Sequence, residues 1–246
     1  MSQKLRKLIA KLSEKQSLDH EELSYLISQS DQALWQEVRQ EADRIRHKYV
    51  GDAVHLRGLV EFSNYCRCNC NYCGLRRDNK EVLRYRLEPE EIVKTALFAA
   101  ELGYGTVVLQ SGEDPFYTAE VMEEIILKIK AQTDLAITLS IGERSKQEYA
   151  MWRQAGADRY LLRHETADPK LYSALHPGRK LESRIECLQT LHSLGYEVGS
   201  GFMVGLPGQS AEALAADLLL LQELDVHMVG IGPFIPSPQT PLEKET

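Results

Sequence analysis

Residues 66–73 read C-R-C-N-C-N-Y-C, which sets Cys66, Cys70 and Cys73 at the spacing C-x3-C-x2-C in a chain with only two other cysteines. Three thiolates can hold three corners of a 4Fe–4S cube, and the missing fourth protein ligand leaves one iron open to a small molecule. The extra sulfur in the run, Cys68, raises the competing idea of an all-thiolate zinc site. Structural zinc sites usually join two short cysteine pairs across a longer loop, whereas here four sulfurs crowd into one short run. The spacing therefore favours a cluster, with Cys68 as a spare sulfur. Cysteines packed this closely mostly cannot reach bridging geometry, so a disulfide framework is excluded and a reducing, cytoplasmic setting is expected. Cys187, within R-I-E-C-L-Q-T-L, is expected to be a packed thiol in a helix.

Other residues with chemistry to offer gather where β-rich runs end. In Q-S-G-E-D-P, residues 110–115, Gly112 would let backbone approach a ligand and Glu113 adds negative charge; the plainer alternative is a strand-to-helix turn. In R-Y-L-L-R-H-E-T, alternation puts Arg159, Leu161 and Arg163 on one side, with Glu165 continuing that side. An inward guanidinium needs an anion, either a ligand or a neighbouring acid. Arg184, near the start of S-R-I-E-C-L, could fork onto a carboxylate or lie on the surface. Thr138 and Ser140 share a face of the third run. His164 reads as a packed histidine, and Met228 and Ile231 as core residues or as brackets for a nucleoside.

The elements that must position these residues follow a simple rhythm. After three helical stretches within residues 1–50, from Ala53 onward six short β-rich runs alternate with amphipathic helices at a repeat of about thirty residues, which predicts parallel β/α architecture. The runs read as apolar on both faces, as buried parallel strands do. Polar or glycine-rich ends on strand after strand favour a TIM-type barrel, where those ends converge, over a doubly wound sheet. The expected organisation is an N-terminal helical cap over 1–50 and a β/α barrel core over 51–246. Six of the eight strand–helix units of a full barrel are present. The expectation is that the chain is truncated, with an open six-strand barrel as the alternative. Asp19 or Ser17, and Asp31 or Ser30, are expected to cap the early helices.

Composition narrows the partners. With 43% hydrophobic and 26% charged residues the chain is an ordinary globular protein, and its net charge of -7, without a lysine- or arginine-rich face, argues against nucleic acid. No stretch offers the ~18 apolar residues of a membrane span, and the start lacks the apolar core of a signal peptide.

The cysteine spacing, with Tyr72 directly before the last cysteine and the loop following a first barrel strand, resembles the radical S-adenosylmethionine (SAM) superfamily. That resemblance implies a 4Fe–4S cluster on Cys66, Cys70 and Cys73, SAM on the open iron, and reductive cleavage to a 5'-deoxyadenosyl radical. Gly112 and Glu113 resemble its G-G-E element. Gly201, Met203 and Gly205 resemble its G-x-I-x-G element, although Gly208 stands where an acid is usual. The runs Y-C-G-L-R-R-D-N, L-Q-S-G-E-D-P, A-G-A-D-R-Y-L-L-R-H-E-T-A, M-V-G-L-P-G-Q and V-G-I-G-P-F-I-P-S-P together resemble the FeFe-hydrogenase maturase family HydE. The resemblance implies that Tyr72, Gln110, Gly112, Glu113, Thr138, Arg159, Arg163, Glu165, Arg184 and Met228 line SAM. It further implies an organometallic substrate, an iron carbonyl cyanide bound to cysteine, with the maturases HydG and HydF as partners and a ferredoxin or flavodoxin as electron donor. No second cluster is expected in residues 1–246. The competing readings are an amino-acid enzyme of the methylornithine synthase or biotin synthase kind, and a scaffold that binds cluster and SAM without turnover.

Overall fold

Runs of β-branched and aliphatic residues bounded by glycine or polar turns form the six expected strands, and the amphipathic runs between them form helices. The computed structural model describes residues 3–15 and 17–245. In chain order the elements are α1 (Gln3–Lys15), α2 (His20–Ile27), α3 (Gln32–Tyr49), β1 (Gly58–Ser63), α4 (Pro89–Glu101), β2 (Thr106–Ser111), α5 (Ala119–Lys130), β3 (Ala136–Ser140) and α6 (Lys146–Ala155). They continue with β4 (Arg159–Leu161), α7 (Pro169–Leu175), α8 (Leu181–Ser193), β5 (Glu197–Val204), α9 (Ala211–Glu223) and β6 (Met228–Pro233). Helix starts carry their expected chemistry: Asp19 closes a capping box with Glu22, and Asp31 accepts from the Ala33 and Leu34 N–H groups.

All neighbouring strands pair in parallel, in the order β1-β2-β3-β4-β5-β6. A doubly wound sheet reverses its order at a switch point. An unbroken sequential order is that of a barrel wall, here open between β1 and β6 among the described residues. Val60, Phe62, Leu109, Ile137, Leu139, Tyr160 and Val198 face the helices and form the main core with Ile92, Met122, Ile125, Trp152, Leu188 and Leu220.

The opposite, inward face corrects the expectation of strands apolar on both sides. One rung of the register runs Glu61–Gln110–Ser140 and another Leu161–Gly199–Met228, so this wall is mixed, polar over β1–β3 and apolar over β4–β6. Inward polarity would be costly in a dry core, but it suits a chamber that holds a polar ligand.

The N-terminal helices form their own apolar cluster of Leu5, Leu8, Leu18, Leu26 and Leu34. They sit on the outer helical layer through α2 and α9, where His20 Nε2 lies 3.0 Å from the Glu212 carbonyl oxygen. No helix among the described residues is long and apolar enough to cross a membrane.

Candidate iron-sulfur site

The cysteine loop leaves the C-terminal end of β1 and is fastened on all sides by backbone bonds. A Cβ on Gly112 would lie 2.2 Å from the Tyr65 carbonyl oxygen and 2.8 Å from Cys66 Cβ. Only glycine lets β2's end and the start of the loop approach this closely. The Arg67 N–H donates to the Glu113 carbonyl at 2.9 Å. Asn71 donates its N–H to Leu175 O (2.8 Å) and its side-chain amide to Ala174 O (2.7 Å), tying the loop to the end of α7. Arg84 donates to the carbonyls of Asn64, Leu75, Arg76 and Asn79, so one guanidinium gathers the strand's exit and the segment after Cys73.

Cys66, Cys70 and Cys73 are half-buried free thiols, and Cys68 is buried. Among the described residues no three Cys, His, Asp or Glu side chains converge as a single ion requires. Burial pushes Cys70 up to about 12 and raises Cys73 as well, with the neighbouring thiols adding to both. The Cys68 side chain bonds Cys66, which lowers Cys66 and raises Cys68. Taking up a cluster therefore releases protons from this loop.

Glu165 lies beside the loop. Its Oε2 is buried and has no hydrogen-bond partner. Burial raises its pKa, against the pull of Arg163 and Arg184, and its charge is felt by both Tyr72 and Cys73. Arg184, itself buried, donates Nε to Glu143 Oε1 and NH1 to the Arg163 carbonyl, both at 2.5 Å. Arg163 lays its guanidinium on the backbone of β6: a Cβ on Gly230 would be 3.3 Å from Nε and NH2. Tyr72 points its hydroxyl to His176 Nε2 (3.1 Å) and packs with Leu171, Leu175, Met203, Leu206 and Phe234. Its side chain thus serves an apolar wall beside the loop.

Glu113 occupies a different position from Glu165. Its carboxylate receives Arg67 Nε (3.0 Å), Arg179 through both terminal nitrogens, and the Glu143 N–H (3.0 Å). Burial pushes it up, yet Arg179 and the Glu143 N–H outweigh that cost and hold it at about 2. A Cβ on Gly142, whose φ is +78°, would fall 1.9 Å from Glu113 Cγ, so the β3 loop is shaped around this side chain. Glu113 is therefore the internal anchor of the cysteine loop, where sequence reasoning expected a charge offered to ligand.

Among the remaining expected residues, Gln110 donates to Glu61 Oε1 at 3.3 Å and lines a 410 Å³ cavity with Ser63, Asn64, Leu75 and Ser111 at the mouth beside the loop. Thr138 is buried on the inward face of β3 with its Oγ1 unpartnered. Met228 begins β6, faces Gly199 and accepts from Arg57 at 3.2 Å. Arg159 is drawn elsewhere. It pairs with Glu197, the first residue of β5, and donates to Thr106 Oγ1, the first residue of β2, at 3.1 Å. Its anion is the neighbouring acid at the N-terminal rim of the sheet, so its guanidinium is turned away from the cysteine loop. Gly201 admits close packing of β5 on β6, since its Cβ would meet the Gly230 carbonyl oxygen.

Sequence reasoning missed Glu143, Arg179 and His176. Glu143 was recoverable, because it follows Gly142 at the end of β3 just as Glu113 follows Gly112 at the end of β2. Arg179 lies in a loop with no periodicity to mark it.

The residues present fit a cluster and a polar, zwitterionic cofactor. Three thiols share one loop, an unpartnered buried carboxylate stands beside them, two guanidinium groups flank it, and a second orphaned oxygen, on Thr138, faces the same interior.

Residues 60–221 match the family model of the radical SAM superfamily. The chain is 53% identical to the FeFe-hydrogenase maturase subunit HydE of Thermotoga maritima, covering 98% of this chain and 68% of that protein. Its structure resembles the crystal structure of a methylornithine synthase with a TM-score of 0.88, at 30% identity over 96% of this chain and 70% of that one. It also resembles the FeFe-hydrogenase maturase HydG of Carboxydothermus hydrogenoformans, with a TM-score of 0.85 at 25% identity, over 96% of this chain and 58% of that one.

Proposed function

The chain belongs to the radical SAM superfamily and, within it, to the HydE family of FeFe-hydrogenase maturases, and from that premise we propose that it is a radical SAM maturation enzyme whose cluster sits on Cys66, Cys70 and Cys73. The observation that carries this reading is the three-thiol loop beside Glu165, a buried carboxylate with an unpartnered oxygen. When bound, the reduced cluster and SAM supply a 5'-deoxyadenosyl radical.

The protein's own residues supply position and shielding. Glu165 can accept the ammonium of an amino-acid moiety, and Arg163 and Arg184 favour its carboxylate. Thr138 and Gln110 offer further polar contacts from the inward wall. Tyr72, Leu175, Met203, Leu206 and Phe234 keep water from the loop. Glu113, Arg67 and Arg179 hold the loop in place. Residues 51–246 form the barrel core of this enzyme, and 1–50 a helical segment on its outer layer.

The substrate is an iron carbonyl cyanide on cysteine, handed over by HydG, and the product passes toward HydF. A ferredoxin or flavodoxin delivers the electron, in a compartment reducing enough to keep the thiols free. Arg163, past the end of β4, and the polar part of the inward wall support an anionic substrate better than a hydrocarbon one.

The test is anaerobic reconstitution with iron and sulfide, then dithionite and SAM. Wild type is expected to release 5'-deoxyadenosine and Cys70→Ser to release none. Supplying lysine in place of the iron precursor separates the closest rival, since methylornithine formed from lysine would overturn the maturase reading.

A further inference from the structure

Glu165 adopts a left-handed backbone conformation, with φ of 67°. For a residue with a Cβ this conformation is strained and persists only where the surroundings over-determine it. Here they do. The Glu165 N–H donates to Gly201 O at 3.0 Å and its carbonyl accepts from the Met203 N–H at 3.2 Å, a single bridge that continues β4 beyond a break.

On both sides of Glu165 the backbone is fastened to one buried polar group of three. His164 lies on the helix-facing side of the sheet, its N–H and Nδ1 at 3.3 and 3.0 Å from Ser200 Oγ in β5. Its Nε2 is 3.3 Å from Asp217 Oδ1, a close polar contact that falls short of hydrogen-bond geometry. Asp217 belongs to α9 and accepts the Ala167 N–H, so the same carboxylate reaches the residue before Glu165 and the second residue after it. All three side chains have no exposed surface, which removes them from consideration as a hydrolytic Ser-His-Asp set despite their order of contact.

We propose that Asp217, His164 and Ser200 are positioning residues that lock residues 164–167 and thereby hold the Glu165 carboxylate toward the cofactor chamber. The strain is local to Glu165, while the groups that maintain it lie behind the sheet, on β5 and α9. The orientation of a site carboxylate is thus set from the outer helical layer. The inference rests on the reading of Glu165 as a SAM-binding residue.

The experiment measures SAM affinity by equilibrium dialysis on reconstituted protein with the cluster oxidised, so that no turnover is needed, alongside iron content and unfolding midpoint. Asp217→Asn is expected to weaken SAM binding about tenfold, as loss of a supporting partner typically does, with iron content retained. In a Glu165→Gln background the same change is expected to add less than about twofold, because its route of action is already gone. Ser200→Ala removes only a neutral anchor, is expected to give about threefold with the same dependence on Glu165, and decides the matter if Asp217→Asn fails to fold. Wild-type affinity in these variants, or effects that multiply with Glu165→Gln, would overturn the positioning role while leaving the site reading intact. Wild-type affinity in Glu165→Gln itself would overturn the site reading, and the positioning role with it.

Discussion

Replacing Glu113 by glutamine removes one negative charge from the junction of the cysteine loop, the β3 loop and the segment before α8, and keeps the side chain's shape in the space left by Gly142. Burial pushes the carboxyl up, but Arg179, the Glu143 N–H and the Cys68 side chain hold it at about 2, against an ordinary 4.5. At ~1.4 kcal/mol per pKa unit this corresponds to about 3 kcal/mol of stability. Breaking a buried charge pair typically costs about 3–5 kcal/mol, which agrees. For a chain of this size the loss should lower Tm by about 6–12 °C. The effect has a defined pH dependence. A depressed carboxyl contributes fully above its unfolded pKa of 4.5, and that contribution is lost as pH falls through about 2. The difference between wild type and Glu113→Gln should therefore be constant at neutral pH and shrink as the solution is acidified below 4.5. Anaerobic urea unfolding at a series of pH values measures it, with iron content after reconstitution as a second readout. A difference under about 0.5 kcal/mol at pH 7, the range of ordinary surface substitutions, would refute the anchor role.

Two further changes probe the loop. Gly112→Ala places a methyl 2.2 Å from the Tyr65 carbonyl oxygen, and backbone cannot move aside as a flexible side chain does. A cost of about 1–3 kcal/mol is expected, together with reduced iron uptake, both read in the same unfolding and iron assays. Cys68→Ala should retain the full iron content and charge-transfer absorption of wild type if, as we propose, Cys68 serves Cys66 as a hydrogen-bond partner and not as a ligand; loss of the cluster in this variant would reassign the fourth sulfur.

Most of the fold was legible because its signals are local. Each of the six β-runs became a strand and each apolar-periodic run a helix. The barrel-type order was inferred from where polar residues collect, and the observed sequential pairing agrees. What misled was the reading of hydrophobicity along the strands. Val60, Leu109, Ile137 and Tyr160 are apolar on the helix side, but the alternate positions Glu61, Gln110, Thr138 and Arg159 are polar and face inward. Period-two alternation was present in the sequence and was masked by the strong apolar content of the outer face. Arg159 and Arg163 were correctly placed on one side of β4. Their four-residue separation nevertheless carries them apart: Arg159, at the start of β4, meets Glu197 at the rim, while Arg163, past the strand's end, reaches Gly230 and the vicinity of Glu165.

The pair Glu113 and Glu165 shows where residue type stops being informative. Both are glutamates just beyond barrel strands, both are close to the cysteine loop, and the sequence gives them equal claims on the cofactor. Their difference lies in what else arrives. Three long-range donors, Arg67, Arg179 and the Glu143 N–H, converge on Glu113 and fill its oxygens. Glu165 receives none at Oε2, because a strained turn fastened to Ser200 and Asp217 holds it apart from its cationic neighbours' hydrogen bonds. Burial raises the pKa of one, and ion pairing overrides burial in the other. A carboxylate whose needs are met internally holds a loop in place. One left buried and unmet has capacity for a ligand, and on that distinction rests our proposal of a binding role for Glu165 and a structural role for Glu113.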